Sequence, residues 1–105
     1  MSAKGDNLIP EELKICVAAL GDWKFTHGDS RIRRDWELKD FKSAIAWINA
    51  VAEVAEAEQH HPDVHLEGYR RVWIEIFTHS TGGITERDIR LAAKIDEIWR
   101  SRTSA

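Results

Sequence analysis

Between Val72 and His79 the side chains alternate without a break. Val72, Ile74, Ile76 and Thr78 fall on one parity; Trp73, Glu75, Phe77 and His79 fall on the other. A period of two over this length marks a β-strand. Both parities carry large apolar groups, unlike a strand with one wet face. The segment is therefore expected to be covered on both sides, on one by helices and on the other by a partner subunit or a ligand.

Residues 23–38 read as a hairpin. Trp23 to Thr26 is short and β-favouring, and His27-Gly28-Asp29-Ser30 are turn residues. Ile32, Trp36 and Leu38 then share a parity opposite to Arg33, Asp35 and Glu37. Val64 to Leu66 is a further extended segment, with Glu67-Gly68 as its turn.

Three stretches have helical spacing. Pro10 suits a first helical position, Leu13, Val17 and Leu20 follow, and Gly21 ends the run. Asp40 is an N-cap for a long amphipathic helix on the stripe Phe41, Ile45, Ile48, Val51 and Val54, widened by Ala44, Trp47 and Ala55. That helix must stop by about His60, because the residue before Pro62 is disfavoured in helical geometry. Thr85, with Asp88 three residues on, resembles a capping box for a last helix through Ile89, Ala92, Ala93, Ile95 and Trp99. The order α-β-β-α-β-β-α predicts an α+β fold, a four-stranded antiparallel sheet with helices packed on one face. Residues 1–105 form one expected domain, with 1–7 as a flexible tail.

The 105 residues carry 43% hydrophobic and 31% charged side chains, as an ordinary globular protein does. A formal charge of −3 argues against a general electrostatic footprint for nucleic acid. No apolar run is long enough for a membrane span, and the N-terminus lacks an apolar signal core. The expected location is cytoplasmic. The one cysteine, Cys16, excludes an intrachain disulfide and reads as a packing residue.

Histidines are the candidates for chemistry. His60 and His61 stand in tandem between a helix end and Pro62, and His79 stands where a strand meets a Gly-containing loop. An imidazole gives or takes a proton near neutral pH with little driving force either way. Consecutive side chains on such a turn diverge, so the tandem pair can approach a ligand from two directions. Solvated surface histidines are the plainer alternative, and a three-imidazole metal site another, although the spacing matches no specific metal motif. Glu56, one turn before His60, is placed to orient an imidazole, and equally to sit exposed. Asp88 caps helix amides, which is compatible with a role in substrate binding. The five tryptophans read mainly as core or interface residues; Trp23 and Trp73 are candidates to stack on a flat ligand, with packing the better reading. His27 and His65 read as surface residues.

The combination His60-His61-Pro62, Thr78-His79, and Gly83-Ile84-Thr85 with Asp88 resembles the pterin-4a-carbinolamine dehydratases. Trp23 after Gly21-Asp22, and the Trp36-to-Phe41 stretch leading into a long helix, are also similar to that family. The resemblance implies the same α-β-β-α-β-β-α fold, a homodimer or homotetramer, and conversion of 4a-hydroxytetrahydropterin to quinonoid dihydropterin and water. It implies no metal and no bound cofactor. By matching position, His60, His61 and His79 become catalytic histidines. Pro62, Thr78, Ser80, Asp88 and Glu56 become substrate-binding or tuning positions. The segment between the HHP and TH motifs is about one residue longer than in animal members, around Glu67-Gly68, which implies a longer hairpin turn. The family also includes transcription coactivators and factors resembling Rubisco assembly proteins, so a non-catalytic interaction module on the same fold is the alternative.

Overall fold

The computed structural model describes residues 7–103. The chain runs α1 (Pro10–Leu20), β1 (Lys24–Thr26), β2 (Arg31–Glu37), α2 (Phe41–Glu58), β3 (Asp63–Glu67), β4 (Arg71–Ile76) and α3 (Glu86–Thr103). The strands form one antiparallel sheet in the order β1-β2-β4-β3, backed by the three helices. The tail expected over residues 1–7 lies outside the described residues except for Asn7. That residue is tied down: its side-chain amide donates to Thr81 O at 3.3 Å, and the Leu8 amide donates to Ile84 O at 2.8 Å. No helix among the described residues is long and apolar enough to cross a membrane.

Local chemistry explains the boundaries. Asp40 caps α2 by accepting the Ser43 amide at 2.8 Å. His27, Gly28 and Asp29 all take positive φ in the β1–β2 turn. In the β3–β4 turn Gly68 and Tyr69 do the same, one residue further along than the expected turn.

The inner sheet residues Ile32, Trp36, Val72, Ile74 and Ile76 pack with Ala44, Trp47 and Val51 of α2, Leu91, Ala92 and Ile95 of α3, and Val17 of α1. Four indoles cross this core edge to face, with centroids 5.2 Å apart for Trp36–Trp47 and 4.9 Å for Trp47–Trp99. Such pairs contribute about 0.5–1.5 kcal/mol each beyond area burial. Trp23 is therefore a core residue, and its Nε1–H donates to both oxygens of buried Asp96 at 3.0 Å. Asp96 also accepts from Arg34 at 2.6 Å, which joins the start of β1, β2 and α3 through one carboxylate.

Two expectations are corrected. The buried edge of α2 is Ala44, Trp47, Val51 and Ala55, whereas Phe41 is 54% and Ile45 38% exposed. Small Ala44 and Ala55 let the backbone approach its neighbours on that side, and Trp47 fills the space between. The last strand ends at Ile76 rather than reaching His79. Its partner β2 has turned into the hairpin beyond Ile32↔Ile76, so Thr78 instead pairs with Gly83 through an isolated bridge.

On the outer face Trp73 of β4, and Phe77 just beyond its end, have intramolecular neighbours. His65 stacks on Trp73 at 4.9 Å, and the Arg33 guanidinium lies 4.7 Å from the same ring. Arg31 lies 4.3 Å from the Phe77 ring and donates to Glu75 at 3.3 Å. Arg33 also grips Asp35 through two bonds of 2.8 Å, which hold the Asp35 carboxyl below the usual carboxylate range.

Candidate active site

The end of α2 sets the geometry of the tandem histidines. Gln59 takes the left-handed conformation (φ 51°, ψ 42°), and the His60 amide returns to Ala55 O at 3.1 Å. This 6→1 closure satisfies helix carbonyls and turns the chain sharply. Pro62 then prevents a second helical start. As a result His60 points inward, 7% exposed, while the His61 side chain points out, 69% exposed.

Each of these imidazoles meets a carboxylate. His60 Nε2 lies 2.5 Å from Asp88 Oδ1, and His61 Nε2 lies 2.5 Å from Glu56 Oε2. An ionised carboxylate only accepts, so in each pair Nε2 carries the proton and Nδ1 is left for other chemistry. Glu56 therefore serves His61, the farther of the two histidines in sequence.

Asp88 has no exposed surface. It stands in the first turn of α3, where Oδ2 accepts the Thr85 amide and the Thr78 hydroxyl, each at 2.7 Å. The Thr78 proton is thereby committed to Asp88, so the 2.9 Å contact between Thr78 and Thr85 has Thr85 Oγ1 donating. Thr85 Oγ1 in turn accepts the Arg87 amide at 3.2 Å. One carboxylate thus caps α3, locks the Thr78–Gly83 bridge and aims His60. Burial at zero exposure is tolerable because every one of these contacts is a hydrogen bond.

His60, His61, Thr78, His79 and Ser80 border one open cleft of about 520 Å³, together with Gln59 and Arg87. That volume lies in the range of small-molecule sites. His79 is exposed at its rim and packs on Phe77 with 4.2 Å between ring centroids. Asp88 stands behind the wall, with His60 between it and the cleft. Glu56 and Pro62 border a separate hollow of about 160 Å³, which His61 also touches. A larger concavity of about 640 Å³ beside β1 and β2 holds no histidine. No three His, Cys, Asp or Glu side chains among the described residues converge as metal ligands.

Gln59 and Arg87 are the cleft residues that sequence reasoning did not single out. Both sit inside the recognisable motifs, directly before the tandem histidines and directly before Asp88, and adjacency to those motifs was the available signal.

A small α+β protein with a carboxylate-backed histidine cleft at one end of its sheet is the class this arrangement defines. A family model described as pterin 4 alpha carbinolamine dehydratase matches residues 6–98. The chain belongs to that family. An Arabidopsis thaliana relative named pterin-4-alpha-carbinolamine dehydratase 2, mitochondrial, is 48% identical over 65% of this chain, a match spanning 36% of the plant protein. A Gloeobacter violaceus relative, provisionally given the same enzyme name, is 38% identical over 86% of this chain and 99% of its own length. The crystal structure of a transcriptional coactivator/pterin dehydratase from Brucella melitensis superimposes with a TM-score of 0.81 at 34% identity, over 89% of this chain and 98% of that one. A pterin dehydratase-like RuBisCO assembly factor of the alpha-carboxysome shares the fold, with a TM-score of 0.61 at 18% identity over 72% of this chain and 87% of that one.

Proposed function

We propose that this chain dehydrates a 4a-hydroxytetrahydropterin to the quinonoid dihydropterin by histidine acid–base catalysis without a metal, in tetrahydrobiopterin recycling. In that reaction the C4a–O bond breaks, the hydroxyl leaves as water with a proton from an imidazolium, and a neutral imidazole takes the N5 proton as the N5–C4a double bond forms. The observation that carries the reading is the buried Asp88–His60 pair opening onto a cleft shared with His61 and His79. Such a pair fixes tautomer and aim, as a proton-transfer group requires. Ser80 supplies a hydroxyl at the cleft wall and Thr78 borders the cleft with its own hydroxyl turned to Asp88, while Pro62 and Glu56 support His61.

The exposed stripe of Phe41 and Ile45 on α2, with Val64 on edge strand β3, supports a homodimer or homotetramer. We place the protein in the cytoplasm. The same stripe, and the coactivator name of the Brucella melitensis neighbour, favour a second reading as an interaction or assembly module. A scaffold, however, has no need of a buried carboxylate aimed at an imidazole in a cleft.

The test is dehydration of synthetic 4a-hydroxytetrahydropterin followed by absorbance in EDTA, comparing the parent protein with His61→Ala and His79→Ala. Fast turnover that falls by roughly 10²-fold or more in a variant supports the reading. Turnover no faster than the spontaneous reaction in folded protein overturns it and leaves the interaction module.

A further inference from the structure

From the contacts between α3 and the end of α2, we infer that Arg87 is a positioning residue of this site: its guanidinium fixes the left-handed peptide that delivers the tandem histidines to the cleft. The inference rests on the acid–base reading of those histidines. Arg87 Nη2 donates to Gln59 O at 2.6 Å, a charge-assisted bond across two helices. Gln59 holds positive φ without being glycine, a strained conformation that persists only where surroundings enforce it. Its carbonyl lies at the C-cap just past α2, beside helix carbonyls that lack intrahelical donors and carry partial negative charge.

The last turn of α2 contains no basic residue of its own. The cations come from α3 instead: Arg90 lies 3.9 Å and Lys94 4.0 Å from Glu58, on the same stripe as Arg87. Successive residues of α3 thereby hold successive residues beyond α2, Arg87 on the Gln59 carbonyl and Asp88 on the His60 ring. Two adjacent ties define an orientation where one defines only a pivot. Without Arg87, the Gln59–His60 peptide keeps the His60 amide bond to Ala55 O but loses the tie on its carbonyl side, so its plane can tilt between that bond and the anchored ring, and His61 follows it. Arg87 and Glu56 are both exposed, but Arg87 bonds the turn peptide itself whereas Glu56 reaches only the His61 ring, so Glu56 is a weak restraint on that swing. Small misplacements of an acid or base are expensive in rate.

The experiment compares Arg87→Met, Arg87→Ala and Arg87→Lys with the parent protein in the dehydration assay, with histidine ring and backbone ¹⁵N shifts recorded on the same samples. A positioning role predicts that kcat falls roughly 10-fold to 100-fold in the methionine and alanine variants. It also predicts a KM within about threefold, lysine recovering most of kcat, and shifts moving at His60 and His61 but not at His79. A KM rise with kcat intact would make Arg87 a substrate-binding cation and overturn the inference. Parent-like kinetics and shifts in a folded Arg87→Met protein would overturn it too. Should the parent protein lack dehydration altogether, the functional reading fails by itself, and unmoved shifts at His60 and His61 would still be needed to defeat the positioning claim. Arg87→Met keeps the aliphatic stem, so it remains informative where alanine fails to fold.

Discussion

Replacing Asp88 separates its structural and chemical duties. Its carboxylate takes three close donors at zero exposure: His60 Nε2 at 2.5 Å, the Thr85 amide at 2.7 Å and the Thr78 hydroxyl at 2.7 Å. A hydrogen bond to a charged group is worth about 1.5–3 kcal/mol net, and each stranded buried donor costs about 1–3 kcal/mol. Asp88→Ala strands the His60 and Thr85 amide donors outright, and because Thr78 and Thr85 share one hydroxyl–hydroxyl contact, one proton of that pair also loses its acceptor. The expected loss is about 3–6 kcal/mol, comparable with the whole stability of many domains of this size. Urea denaturation should find this variant largely unfolded or barely stable.

Asp88→Asn has a different fate. Its one remaining oxygen can keep the Thr85 and Thr78 donors, which leaves its NH₂ group facing His60 Nε2. Donor would then meet donor, so His60 must move its proton to Nδ1 and accept through Nε2. The protein should lose only about 1–3 kcal/mol, because charge assistance is lost but no donor is stranded. Its chemistry should suffer far more, since His60 is held in the opposite tautomer and cannot be protonated without a clash of donors. A loss on the order of 10²–10⁴-fold in kcat is expected, as for other wrong-tautomer histidines. Ring ¹⁵N shifts report the tautomer directly. An Asp88→Asn protein with parent-like turnover, or with the His60 proton still on Nε2, would refute this account of the pair.

Asp96→Ala should cost about 3–5 kcal/mol in urea denaturation, because it leaves the Arg34 guanidinium and the Trp23 N–H without the buried carboxylate they share. Asp40 gives a pH signature: hydrogen bonds from the Ser43 hydroxyl and then its amide hold its carboxyl below the ordinary range. A lowered folded pKa means stability fully present above that range and lost as pH falls through the lowered value. The melting-temperature gap between the parent and Asp40→Ala should accordingly be open at neutral pH and shrink in strong acid. Glu56→Gln should change stability by no more than about 0.5 kcal/mol, since both partners of its pair with His61 are largely exposed; a larger change in denaturation at high salt would contradict this.

Much of the fold was legible because local chemistry and global architecture agree. Asp40, Thr85 with Asp88, the His27–Ser30 turn and the alternation along β4 each name their element without tertiary information. The phase of α2 was not legible. Phe41, Ala44, Ile45, Trp47, Ile48 and Val51 put apolar groups around much of its circumference, and periodicity cannot choose which edge packs. The cover of Trp73 was hidden for a related reason: Arg33 and His65 look like solvated charge in sequence, yet lie across the indole once β2 and β3 flank β4.

The site shows where sequence stops. In the sequence His60 and His61 are the same residue type in the same turn, with equal claim to proton transfer. The fold makes them different groups: one ring is enclosed against a carboxylate with no exposed surface, the other is paired at the surface with a glutamate whose side chain is 73% exposed. That difference comes from a single left-handed residue, Gln59, which reverses the chain direction between them and the helix. It also comes from α3, whose first turn lies 28 residues away in sequence yet provides the carboxylate. Motif spacing therefore locates the reacting groups, whereas their division of labour depends on which of them the αL turn buries. Any substitution that relaxes the turn should blur the distinction before it unfolds the protein, because the Asp88 hub stabilises α3 and the Thr78–Gly83 bridge independently of the turn.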